Sequence, residues 1–178
     1  LLVVVAGFLV APVIRIRMAD PVRPVDGRGP PAGSANSLHD HVHHLSVTIG
    51  SRSAFEEDRL TRAKEYILSV LQHQGVPVGR QTFEFEGRPY ENLVVTIEGR
   101  ERRDETVIIG AHYDTIEGTP GADDNASGVA VLLELCRALQ DFRPERTLKL
   151  IFFTLEEPPA FNTSRMGSHV YAAQARER

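Results

Sequence analysis

The sequence holds a single cysteine, Cys136, no tryptophan and two methionines in 178 residues. One cysteine excludes an intramolecular disulfide and any zinc site built from several thiolates. Basic residues are not in excess: 20 Lys and Arg stand against 24 Asp and Glu, for a net charge of -4. No positive footprint of the kind that nucleic acids require is available, so no nucleic-acid partner is expected. Unbroken apolar runs are also short of the roughly 20 residues that cross a bilayer as a helix. What remains, 42% hydrophobic and 25% charged residues, is the composition of a folded soluble domain rather than a disordered or fibrous chain.

The longest apolar run is at the start. Leu1 to Ile14 (LLVVVAGFLVAPVI) carries no charge and reads as part of a membrane anchor or the apolar region of a signal peptide. The stretch that follows, up to Gly33, is rich in Pro, Arg and Gly and has the character of a linker. The expected organisation is an anchor or signal remnant over 1–17, a linker over 18–35 and a folded part over 36–178. Possible membrane attachment through residues 1–14, or export to the periplasmic or extracellular side, follows from that reading.

Within the folded part, Ser37 is a candidate cap for a short helix, LHDHVHHLSVTI. Ser53 and Glu56 have capping-box spacing before a longer amphipathic helix, with Phe55, Leu60, Ala63, Ile67, Val70 and Leu71 on its apolar face and Gly75 as its stop. Two β-like runs follow, RQTFEFEG and NLVVTIEG. A third, TVIIGAHYD, has the continuous apolar character of a strand covered on both faces. A helix, ASGVAVLLELCRALQ, then leads to another strand, TLKLIFFTLEE, and a last helix is expected over TSRMGSHVYAAQARER. Strand, helix, strand with such a crossover predicts a βαβ unit with parallel strands.

Ligands of open α/β sheets gather at the carboxyl ends of the strands. Here one strand ends in His112-Tyr113-Asp114, the other in Glu156-Glu157, and the helix between them opens on Asp123-Asp124-Asn125. So many carboxylates crowded around one histidine repel unless a cation sits among them. An imidazole with carboxylates suits zinc or a similar divalent metal better than calcium or magnesium. His112 and Asp114, two apart on an extended strand, point the same way, which lets Asp114 accept the second imidazole N–H. Taken singly, the same residues read as a surface His–Asp pair, a helix cap and a solvated strand end.

The set HYDT, PGADDNASGVAVLLEL, FFTLEE and MGSHVYA resembles the dinuclear, co-catalytic zinc exopeptidases, a family that includes bacterial leucyl aminopeptidases and glutamate carboxypeptidase II. The resemblance covers roughly Val107 to Ala173. It implies a three-layer αβα fold with a mixed, mostly parallel central sheet, of which this chain supplies the N-terminal part. It also implies two Zn2+ ions and a peptide substrate. His112 would bind one zinc with Asp114 as its supporting partner, and Asp124, followed by a cis peptide bond, would bridge both metals. Glu157 would bind the other zinc. Glu156 would be the general base acting on the metal-bridging water; adjacency alone does not decide which glutamate does which. The family's remaining ligands, a further aspartate and a later histidine, have no counterpart here, so the 178 residues are expected to be inactive alone.

Two other readings stay in view: a glutaminyl-peptide cyclase-like enzyme, and a non-catalytic, receptor-like relative. His39, His41, His43 and His44 form a histidine cluster, with His39 and His43 on one helix face, and are expected to be polar positions rather than ligands. Cys136, among Leu132, Leu133 and Leu139, is expected to be a buried apolar residue.

Overall fold

Glu86 and Gly87 both take left-handed backbone angles, φ 50° and 74°, and this tight turn folds β1 (Gly79–Phe85) back on β2 (Arg88–Ile97) as an antiparallel hairpin closed by the Phe85–Arg88 pair. The hairpin belongs to a computed structural model that describes residues 34–176. The expectations for the apolar start and for residues 18–33 therefore lie outside the described residues. Among the described residues no helix is long and apolar enough to cross a membrane.

β2 pairs antiparallel with β4 (Arg146–Phe153), and β4 pairs parallel with β3 (Arg102–His112). The sheet order is β1-β2-β4-β3. The parallel pair is joined by α3 (Gly128–Ala138), as the βαβ pattern predicts. Alternation along the strands sends Leu93 and Val95 of β2 and Leu148, Leu150 and Phe152 of β4 to one face. There they share a core with Leu45, Leu60, Ala63, Ile67 and Leu71 and with Val129, Leu132, Leu133 and Cys136. Those partners come from α2 (Glu57–His73), from α3, and from the wider-wound turns 44–49 that continue α1 (Ser34–His43). Fully burying each Val, Leu, Ile or Phe among them is worth about 1.5–3 kcal/mol. α4 (Gly167–Arg176) meets β2 on the other face. There Tyr171 packs edge-on to Phe153 and lies under the Lys149 ammonium. Helices on both faces of a mixed sheet give the expected αβα layering.

Several local expectations shift. α1 begins at Ser34, three residues ahead of Ser37. The Ser53–Glu56 contacts form, with Glu56 Oε2 accepting from the Ser53 N–H at 3.4 Å. The Ser53 hydroxyl, however, accepts the N–H of Phe55 rather than capping a helix. α2 therefore starts only at Glu57, and Phe55, left ahead of it, is 58% exposed. Val107 and Ile108 of β3 are 46% and 48% exposed, because β3 is an edge strand among the described residues and lacks the cover its apolar run predicts. β4 ends at Phe153, so Glu156 and Glu157 lie beyond the strand.

Candidate metal centre

The parallel pairing of β3 and β4 sets His112 beside Phe153 at one sheet edge, and the Tyr113 N–H donates to the Phe153 carbonyl at 2.9 Å. Past Phe153 the chain turns at Leu155, which holds φ 57° and is fully buried against Ala54 and Ala160. That turn, and not strand alternation, sends the two glutamates to different places.

Glu156 goes to the first turn of α4. The Ser168 N–H donates to its Oε1 at 2.6 Å and the Ser168 hydroxyl to its Oε2 at 2.7 Å. An N-terminal helical turn favours an anion on both counts, free N–H groups and dipole. Asn92 of β2 fixes that turn in place: its Nδ2 donates to the Gly167 carbonyl at 2.8 Å and its Oδ1 accepts from the Thr154 N–H at 3.2 Å. Burial raises the Glu156 pKa, opposed by the Ser168 bonds.

Glu157 goes the other way and, with His112 and Asp124, offers ligand atoms all within 4.8 Å of one another. Asp124 arrives from the turn before α3. Gly121 takes a left-handed φ of 53°, and Asp124 and Asn125 leave the helical region, with a cis peptide bond between them. The capping alternative belongs to Asn125 alone, whose Oδ1 accepts the N–H of Gly128, the first residue of α3, at 3.0 Å. Asp124 instead sets Oδ1 3.0 Å from His112 Nε2, with its side chain 69% exposed.

Asp114, 1% exposed, supports two of the three. Its Oδ2 accepts the main-chain N–H of Glu157 at 2.9 Å. His112 Nδ1 lies 3.2 Å from the Asp114 main-chain oxygen and 3.5 Å from its Oδ1. The expected imidazole–Asp114 contact is thus shared between carbonyl and carboxylate. Burial lowers the His112 pKa, but Asp114, Asp124 and Glu157 outweigh it and hold the imidazole up at about 9. Burial also raises the Glu157 carboxyl, with His112 opposing. A proton on the imidazole occupies the place that a divalent cation competes for.

The donor set fits a metal. One imidazole nitrogen and two carboxylates converge, and Asp114 Oδ1 is buried without a hydrogen bond, a cost that a nearby cation offsets. Among the described residues no other group of three or more such side chains converges. The histidines of α1 do not. His41 Nδ1 lies 2.7 Å from the Tyr66 hydroxyl, and the His44 ring stacks on Tyr66 at 3.9 Å; these two pack more closely than polar surface positions would. Cys136 is buried and its thiol pushed up to about 12 by desolvation, the opposite of what activates a thiolate.

Residues 92–178 match the model of Peptidase family M28. Over 152 residues the chain is 41% identical to the uncharacterized protein YfbL of Escherichia coli, covering 81% of this chain and 46% of that one. Its fold is that of a zinc aminopeptidase from Bacillus subtilis, with a TM-score of 0.63 at 14% identity over 73% of this chain and 63% of the other. It is similar also to the glutaminyl cyclase of Porphyromonas gingivalis, with a TM-score of 0.63 at 26% identity over 78% of this chain and 52% of the other. The chain thus spans less than two thirds of each of these proteins.

His112, Asp114, Asp124, Glu156 and Glu157 all stand in the short motifs HYDT, PGADDNASGVAVLLEL and FFTLEE. Ser168 was visible only as part of MGSHVYA, without a partner. Arg52 and Asn92 gave no local signal, since their contacts reach across the sequence.

Proposed function

We propose that the whole protein is a zinc-dependent exopeptidase of the M28 type, most simply an aminopeptidase, removing N-terminal residues from peptides. The observation that carries this reading is the convergence of His112, Asp124 and Glu157 with Glu156 alongside but turned away from them. His112, Asp124 and Glu157 would hold zinc, with two Zn2+ ions expected in the complete site. Zinc held there supplies Lewis acidity toward the peptide carbonyl and lowers the pKa of water near neutral pH. Asp114 orients His112 and, through the Glu157 N–H, the neighbouring carboxylate.

Glu156 is the general base. Each of its carboxylate oxygens has a lone pair left after the Ser168 bonds, so the carboxylate can accept a proton from the attacking water. It then returns that proton to the amine as the peptide bond breaks. A carboxyl raised by burial is better suited to both halves of that exchange than an ordinary one. Residues 1–14 attach the protein to a membrane or direct its export, with the periplasmic or extracellular side favoured.

The test is hydrolysis of aminoacyl anilides by the full-length protein with zinc. Chelator-sensitive release of the aniline is expected, and its absence, or full activity in Glu156→Gln, would sink the proposal. The similarity to a glutaminyl cyclase keeps one other reaction in play. A peptide with N-terminal glutamine separates the two: a peptidase releases free glutamine and shortens the chain, whereas a cyclase releases ammonia and leaves the chain length unchanged.

A further inference from the structure

Arg52 takes no part in the chemistry above, yet it is fully buried beside it. A buried cation is costly unless its surroundings compensate. Its guanidinium donates to five main-chain carbonyl oxygens. Nε reaches Tyr113 at 2.8 Å, Nη2 reaches Gly121 at 2.9 Å, and Nη1 reaches Pro120 at 2.7 Å, Gly50 at 3.0 Å and Leu45 at 3.2 Å. These oxygens belong to three separate segments. Leu45 lies within the turns 44–49 and Gly50 caps them, Tyr113 lies between His112 and Asp114, and Pro120 and Gly121 open the turn that bears Asp124.

The loop from Thr115 to Pro120 has no strand or helix ladder of its own. Arg52 supplies the missing bonds at both of its ends. Its own main-chain N–H adds one more, to Thr115 Oγ1 at 2.9 Å. The fit is close: a side chain at Gly121 would overlap Thr115 and press on Arg52 Nη2. Only a planar fork with several donors can gather oxygens from three directions, and a lysine ammonium has neither the reach nor the number. The cation also lies near enough to Asp114 and Asp124 to feel both, which offsets part of the repulsion among the carboxylates before any metal arrives.

We propose that Arg52 is a positioning residue that presets the separation of His112 and Asp124, so that the metal centre is assembled before metal binds. The inference rests on the metal reading above and deepens it. Preorganisation of this kind sets metal affinity without touching the metal, and losing a supporting residue of this class typically weakens binding about 10- to 100-fold.

The experiment uses the full-length protein stripped of metal, titrated with zinc against a chromophoric chelator, and followed in parallel by amide hydrogen exchange. In the metal-free wild type, residues 115–126 should already be protected, with little gain when zinc is added. Arg52→Gln and Arg52→Lys should bind zinc about 10- to 100-fold more weakly and exchange faster over 115–126 while the sheet stays protected. Leu71→Ala, a core change in α2 remote from the loop, serves as the control and should lower thermal stability with zinc affinity unchanged. Zinc affinity within about twofold of wild type in folded Arg52 variants, or an equal loss in Leu71→Ala, would overturn the proposal. Where the Arg52 variants do not fold, the wild type still decides, because a loop that becomes protected only on adding zinc contradicts preassembly. A wild type that binds no zinc counts against the metal reading instead, and the exchange data then report separately on whether Arg52 holds the loop.

Discussion

The turn that bears Asp124 and the loop that bears Glu156 and Glu157 leave neighbouring strands at the same sheet edge, and they are fastened by opposite chemistry. The first turns its carbonyl oxygens inward, and a buried guanidinium gathers them. The second offers N–H groups, from Ser168 to Glu156 and from Glu157 to Asp114, and carboxylates receive them. Its own anchor is neutral, the Asn92 side-chain amide. The difference also sorts the consequences of mutation. Changes on the cation side should appear in metal affinity, and changes around Glu156 on the amide side should appear in turnover.

The sharpest way to break that division is Glu156→Gln. Turnover should fall by about 10^2- to 10^4-fold while zinc content, measured by metal analysis of the purified full-length protein, stays at the wild-type level. Zinc lost together with turnover would move Glu156 to the ligand side. Next is Asn92→Leu, which leaves buried donors and acceptors around Gly167 and Thr154 unpaired. A loss of about 1–3 kcal/mol is expected in urea unfolding, and the surviving folded protein should show lower kcat with little change in zinc affinity. Ser168→Ala removes one of two bonds to the Glu156 carboxylate and keeps the other. A drop in kcat of about 10- to 100-fold is expected, since hydrogen bonds to charged groups are worth about 1.5–3 kcal/mol, with KM and zinc affinity unmoved.

The smallest effect is in pH. His112 sits above its ordinary 6.5, at about 9. In the metal-free protein its contribution to stability is fully present below pH 6.5 and is lost as pH rises through about 9. The melting temperature of metal-free protein should therefore decline across that window, and His112→Gln should flatten the decline. An equal slope in the variant would mean that other groups dominate.

The two fastenings also explain how far the sequence could be read. His112, Asp114, Asp124, Glu156 and Glu157 stand in short motifs at strand ends, where a βαβ unit has only one edge on which to put them. Their convergence was foreseeable from chain order and the handedness of the crossover. Arg52 stands between two serines with no pattern around it, and its meaning lies in carbonyls 61 to 69 residues away. Asn92 looks like an ordinary polar residue in a strand until Gly167, 75 residues on, is set against it. Phe55 fitted a helical stripe, but Ser53 spent its hydroxyl on the Phe55 N–H and delayed the helix. Val107 and Ile108 have the composition of a covered strand and lie exposed at the edge of the four. Local pattern states what a segment is able to bury, and only its neighbours decide whether it does.

Gly167 carries a consequence of its own. A Cβ there would overlap both the Asn92 side-chain oxygen and the Thr154 carbonyl oxygen. Even alanine would lever the start of α4 away from the sheet and carry Ser168 off the glutamate it grips. The aim of the Glu156 carboxylate is thus governed by the absence of a single methyl group at Gly167. Substitution there would leave every reactive group in the chain intact and still disarm it.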